Sequence, residues 1–240
     1  MKGTKMKKIL LAAALLTVTA STSFAGIADT KHNLGSTSTF ALKSTNQSQI
    51  CVFCHTPHNA IQSVPLWNRS YTPATAFLLY TSSKSLTTTT QNAELFSDSQ
   101  SLFCMSCHDG TVAQLASRVN KPGVTTDGNP IAMAGGAVWT GGDASTGAAM
   151  LGTNLTNDHP VGFSYGQAYT DEGAAAGGLN APAYVSAQFG NKTVFFTANA
   201  GTVGDSMECS SCHAVHDNTH APFLRTTNSG STLCLACHNK

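Results

Sequence analysis

Four short segments combine sulfur and imidazole at one fixed spacing: CVFCH at 51–55, CMSCH at 104–108, CSSCH at 209–213 and CLACH at 234–238. They hold all eight cysteines of the chain: Cys51, Cys54, Cys104, Cys107, Cys209, Cys212, Cys234 and Cys237. A cysteine pair separated by two residues can clip zinc, cycle as a redox dithiol or form two thioethers. A zinc site draws ligands from two pairs and does not need a histidine after every pair. A redox dithiol of the thioredoxin kind occurs once, near a strand–helix unit. Four disulfides are the default for eight cysteines in an exported chain, but they ask nothing of the following residue. A histidine directly after each second cysteine is the attachment signature of c-type haem. The two thiols reach the two vinyl groups of one porphyrin, and the next residue sits under the iron. His55, His108, His213 and His238 are therefore the expected proximal ligands of four covalent haems.

Five histidines remain: His32, His58, His159, His216 and His220. Four irons with imidazole on both faces need four of them, which leaves one spare. His58 lies three residues beyond His55 and cannot swing to the far face of its own porphyrin, so as a ligand it serves another iron. His216 stands in the same relation to His213. His32 precedes the first motif, and His159 is followed by Pro160, which favours extended backbone before it. His220 is the expected spare. Methionine is the other common axial ligand, but Met105 lies inside a motif and Met133, Met150 and Met207 share no recurring context. Imidazole on both faces predicts low potentials and six-coordinate iron.

The elements that hold these groups are harder to read. The first 25 residues carry four lysines, an apolar run over 9–20 and Ser23-Phe24-Ala25, the pattern of a secretory signal cleaved before Gly26. The remaining residues, 26–240, read as a single tetrahaem domain without a membrane span. Without that segment, nine basic residues face twelve acidic ones, near −3. No basic patch points to nucleic acid. Charged residues are 10% of the chain, against about 25% in a usual soluble domain, and so weakly charged a surface favours self-association.

Helical spacing of apolar residues predicts short helices at 92–103 and 111–119, and short strands are expected at 184–189 and 192–198. The Gly/Ala/Thr-rich stretch 121–205 is full of turn signals. Such sparse periodicity predicts a mostly coil chain packed around a stack of four haems, whose porphyrins supply much of the buried apolar surface. Phe53, Trp67, Phe77, Leu78, Phe103, Phe195, Phe196 and Phe223 are the expected ring contacts, a generic core being the alternative.

CVFCHTPHNA, PLWNRS, SLFCMSCHDGTVA, NDHPVGF and CSSCHAVHDNTHAPFLR resemble the multihaem c-type cytochromes of metal-reducing bacteria. Over nearly the whole of 26–240, the chain is most similar to the tetrahaem (OmcE-like) branch that polymerises into extracellular filaments. The resemblance implies a mostly coil fold, a continuous haem stack and distal ligands at His32, His58, His159 and His216. It also implies that one distal histidine comes from the neighbouring subunit of a homopolymer, with His58 the first candidate and His32 the second. Such a contact is heterologous and open-ended.

The function expected from these residues is electron transfer outside the cell, with other redox cytochromes or extracellular acceptors as partners and no catalytic residue. A monomeric periplasmic shuttle has the same haem content. A multihaem reductase needs an open iron position and a proton supply, and the histidine count leaves no iron evidently vacant.

Overall fold

The computed structural model describes residues 25–58, 60, 66–69, 77–82, 86, 95, 97–109, 131–134, 149–198 and 202–239. Residues 1–24 of the leader expected over 1–25, and the helix expected at 111–119, lie outside the described residues. Six short helices are described: α1 (Ala25–Ala28), α2 (Ser101–His108), α3 (Tyr165–Asp171), α4 (Pro182–Gln188), α5 (Cys209–Cys212) and α6 (Thr232–Cys237). Three strands, β1 (Phe163–Ser164), β2 (Phe196–Ala198) and β3 (Thr202–Met207), form one antiparallel sheet in the order β1-β3-β2. Apart from short 3-10 turns at Cys51–Phe53, Ala174–Ala176 and Ser229–Ser231, the rest of the described chain is mainly turn and coil, as the weak periodicity predicts. No helix among the described residues is long and apolar enough to cross a membrane.

The sheet is set by Phe163 opposite Met207 and by Phe196 opposite Ser206, with a register shift in the β2–β3 pair before Ala198 meets Thr202. Gly204 in β3 takes a φ of +68°, a conformation that glycine adopts without steric cost and that accompanies an irregular ladder. Ser164 caps α3 by accepting from Gln167 N at 3.0 Å. Asp205 of β3 accepts from Gly166 N at 2.8 Å and from the Ser164 hydroxyl. A carboxylate at the start of the helix satisfies an orphan N–H and complements the helix dipole.

Two expectations are corrected here. Residues 184–189 were expected as a strand, yet the chain forms α4 from Pro182. Proline at the first helical position has its φ already set, and its missing N–H costs nothing there; Val185 turns inward while Tyr184 faces out. Of the helix expected at 92–103, residues 92–94 and 96 lie outside the described residues, 97–100 are turn and coil, and 101–103 open α2, so the second motif is itself helical.

The stretch expected to be mainly turns contributes most of the largest apolar cluster, which joins Phe163, Tyr165, Ala168, Leu179, Val185, Phe189, Val194, Phe195, Met207 and Ala236. A second cluster surrounds Phe77, Leu95, Leu102 and Met105, and a small third one joins Phe53 to Ile131. Phe195 stacks on Tyr165 at 4.5 Å within the first cluster, so its role is protein core. Leu78 is 60% exposed.

Candidate haem-attachment sites

Each motif is built on about one turn of helix. His55 N–H donates to Cys51 O at 2.8 Å, His213 N–H to Cys209 O at 3.1 Å and His238 N–H to Cys234 O at 2.9 Å. This i→i−4 closure carries both thiols and the imidazole from a single turn. In the second motif the helix runs on to His108, and Asp109 N–H donates to Met105 O at 3.1 Å.

The surrounding backbone fixes where each turn points. Around the first motif, Thr56 N–H donates to Leu66 O, Asn68 N–H to Cys54 O and the Asn68 amide to Val52 O, which holds His55 opposite Trp67. The third motif is gripped by a return segment: Ala214 N–H donates to Phe223 O and Arg225 N–H to Cys212 O, while Arg225 Nε–H donates to Ser210 O at 2.7 Å. At the fourth motif, Tyr165 donates its hydroxyl to Asn180 O at 2.8 Å and to Cys237 O at 3.1 Å. The Asn180 amide donates to Leu235 O and Ala236 O, carbonyls that α6 cannot satisfy internally.

All eight cysteines are free of disulfides, and their thiols meet across motifs. The Cys54 thiol is pushed up to about 12, first by burial and then by Cys107 beside it, with Arg69 opposing. Cys104 and Cys209 share a hydrogen bond that raises the former and lowers the latter. Burial raises Cys212 to about 11, with Cys209 and Cys234 adding to it. The second and third motifs adjoin through Cys209 N–H to Ser101 Oγ (3.1 Å) and Ser210 Oγ to Gln100 Oε1 (2.9 Å), and Trp67 beside His55 reaches Phe103 of the second motif's helix.

Three histidine pairs face each other at nearly one distance. His32 and His108 have ring centroids 6.1 Å apart, His55 and His216 6.0 Å, and His159 and His238 6.3 Å. A metal–nitrogen bond of about 2 Å, with about 1 Å from nitrogen to ring centre, separates two imidazoles on opposite faces of one iron by about 6 Å. The residues therefore fit haem at the first, second and fourth motifs.

Burial first, then His108 and His213, bring His32 down to about 4. Burial and the facing His55 likewise lower His216. Burial lowers His108, with the carbonyl of Ala149 working against it. These rings are therefore held neutral, the form that binds iron. The Nδ1 atoms of His108, His159 and His213 contact the carbonyls of Ala149 (2.5 Å), Pro160 (3.0 Å) and Pro222 (3.0 Å). A carbonyl only accepts, so Nδ1 carries the proton and Nε2 keeps its lone pair for a metal.

His213 has no facing histidine among the described residues, although the other three proximal positions do. His58 is exposed. His220 is half-buried and bridges Leu224, the residue that also bridges His213. Phe223 stacks on His32 at 4.7 Å, and Trp67 lies edge-on to His55 and 5.0 Å from Phe103. The Trp67 indole N–H is buried without a hydrogen-bond partner. Such an orphan donor between the first two motifs suits a propionate carboxylate.

Sequence reasoning missed Glu208, which is 1% exposed and lies immediately before Cys209. Its only local sign is Ser211 three residues on: the Glu208 carboxylate accepts from Ser211 N–H while Ser211 Oγ accepts from Glu208 N–H, a capping box with its usual residue types exchanged.

Residues 202–240, which contain the third and fourth motifs, match the protein family described as doubled CXXCH motif. That segment thus carries a feature of multihaem c-type cytochromes, which implies covalent haem c and electron transfer. No curated protein matches the chain.

Proposed function

We propose that the chain is a tetrahaem electron carrier with histidine on both faces of each iron. The observation that supports this best is the triplet of facing histidine pairs at 6.0–6.3 Å, each made of one motif histidine and one histidine from outside any motif. His32 serves the second site, His216 the first and His159 the fourth. Bound haem supplies one-electron exchange between ferric and ferrous iron. The chain's own task is to hold neutral imidazoles in place, to exclude other ligands and to keep neighbouring sites close. Filled axial positions favour a carrier over a reductase.

The reading extends to an exported filament in which His58 of a neighbouring copy completes the third site. Three features support it. No histidine faces His213 among the described residues. His220 bridges the same Leu224 as His213 does, within the return segment that grips the third motif. His58 is exposed and open to another molecule, and the low overall charge opposes association little.

The test is a haem count by mass, electron paramagnetic resonance for spin state, and negative-stain microscopy with size exclusion on one secreted sample. Four haems, all low-spin in filaments, support the whole reading. Fewer than four haems overturn the tetrahaem assignment. Four low-spin haems in a monomer at high concentration overturn the filament and favour a shuttle.

A further inference from the structure

Glu208 is a carboxylate inside the protein with no charge among the groups that bind it. It accepts from Ser99 Oγ at 2.6 Å, from Ser101 N–H at 3.1 Å, from the Ser101 hydroxyl, from Ser206 Oγ at 2.6 Å and from Ser211 N–H. Ser99, Ser101, Ser206 and Ser211 are all buried. Two of the five donors are backbone N–H groups and the other three are hydroxyls. Such a set suits an acceptor-only, ionised carboxylate. It satisfies the lone pairs with neutral donors alone.

The position of that charge is specific. Ser99 and Ser101 open α2, which carries Cys104 and Cys107. Glu208 itself precedes Cys209, whose N–H donates to Ser101 Oγ at 3.1 Å. Ser210, the next residue, donates its hydroxyl to Gln100 Oε1 at 2.9 Å, so the turn that carries Cys209 lies against the start of the helix that carries Cys104. The carboxylate therefore stands where the second and third attachment sites touch.

Burying an ion without a counter-charge is costly. A ferric porphyrin with two neutral axial imidazoles has a net positive core, and reduction removes that charge. A fixed carboxylate beside it stabilises the oxidised form. Burial lengthens the reach of the interaction, because the local dielectric is low.

We infer that Glu208 sets the potential of the two central sites, at Cys104/Cys107 and Cys209/Cys212, holding both below the value they would otherwise take. The inference rests on the tetrahaem reading above. Glu208 is a positioning and tuning residue, since it touches no axial ligand. Holding α2 to α5 is the simpler role, and it predicts no change in potential.

The experiment is a potentiometric titration of full-length, haem-loaded Glu208→Gln and Glu208→Asp beside the parent. Haem count and low-spin signal are measured first. Fewer haems in the parent would refute the tetrahaem reading itself, separately from this inference. In fully loaded Glu208→Gln, two of the four one-electron steps should move positive by about tenfold in reduction equilibrium, which is 59 mV for one electron. Glu208→Asp, which keeps the charge, should stay near the parent. Four unmoved steps in Glu208→Gln, an equal shift in all four, or a shift in Glu208→Asp as large as that in Glu208→Gln would each overturn the inference.

If Glu208→Gln does not load four haems, infrared redox-difference spectroscopy replaces it. The protein then carries Glu94→Gln and Glu172→Gln, so that Glu208 is its remaining glutamate, and is labelled with ¹³C-glutamate. A labelled carboxylate band that shifts with two of the four reductions supports the inference. A band that stays still through all four overturns it.

Discussion

His55 and His216 face each other with ring centres 6.0 Å apart, one in the first motif and the other just after the third. Replacing His216 with alanine should leave four covalent haems, because no thioether is touched. One iron in four should become high-spin, and its potential should rise with the loss of an imidazole. Paramagnetic resonance together with a haem count checks this. His220→Ala, made in parallel, should leave all ligation unchanged.

Acid should weaken the fold through His32. Burial, His108 and His213 lower it from 6.5 to about 4. Between those values the unfolded chain binds a proton that the folded chain does not, so stability falls as pH falls. The contribution is fully present above 6.5 and is lost as pH falls below it, and an iron held by the ring carries the loss to still lower pH. Urea midpoints measured at several pH values should decline over that window, and the slope should be shallower in His32→Gln.

Tyr165→Phe removes one hydroxyl that serves two carbonyls, those of Asn180 and Cys237. The expected loss is about 1 kcal/mol of stability, read as a lower denaturant midpoint with four haems still attached. No loss at all would show that water replaces the hydroxyl.

Gly26 lies against the backbone of a distal ligand. A Cβ built on it would stand 2.1 Å from His216 O and 2.7 Å from the His216 carbonyl carbon. Backbone cannot yield as a flexible side chain does, so Gly26→Ala should cost about 1–3 kcal/mol. The same variant should perturb the spin state of the first site and of no other, which low-temperature paramagnetic resonance resolves.

The attachment chemistry was legible because covalent spacing writes it directly: each motif is complete within five residues. Distal candidates could be counted but not paired, because pairing joins residues as distant as His55 and His216 and depends on how coil segments fold back. Helix α4 was misread as a strand because its aromatic and β-branched residues outweighed the start signal at Pro182. The sheet was caught only in part, since β1 is two residues long and β3 carries a left-handed glycine. Glu208 stayed hidden for a different reason. Three of its five donors come from Ser99 and Ser101 on a remote segment, and no local pattern encodes a convergence of that kind.

The crossing of the histidine pairs bears on the order in which the molecule can be completed. A chain made from its N-terminus presents Cys51, Cys54 and His55 long before His216 exists. On the proposed pairing, the first site waits with one face open until His216 is made, whereas the second can close as soon as His108 appears, because His32 is already there. A chain stopped at residue 200 should carry two haems, one sealed and one exposed to small ligands such as carbon monoxide. In the full-length chain, the residue proposed to close the first site emerges only after the third motif is complete.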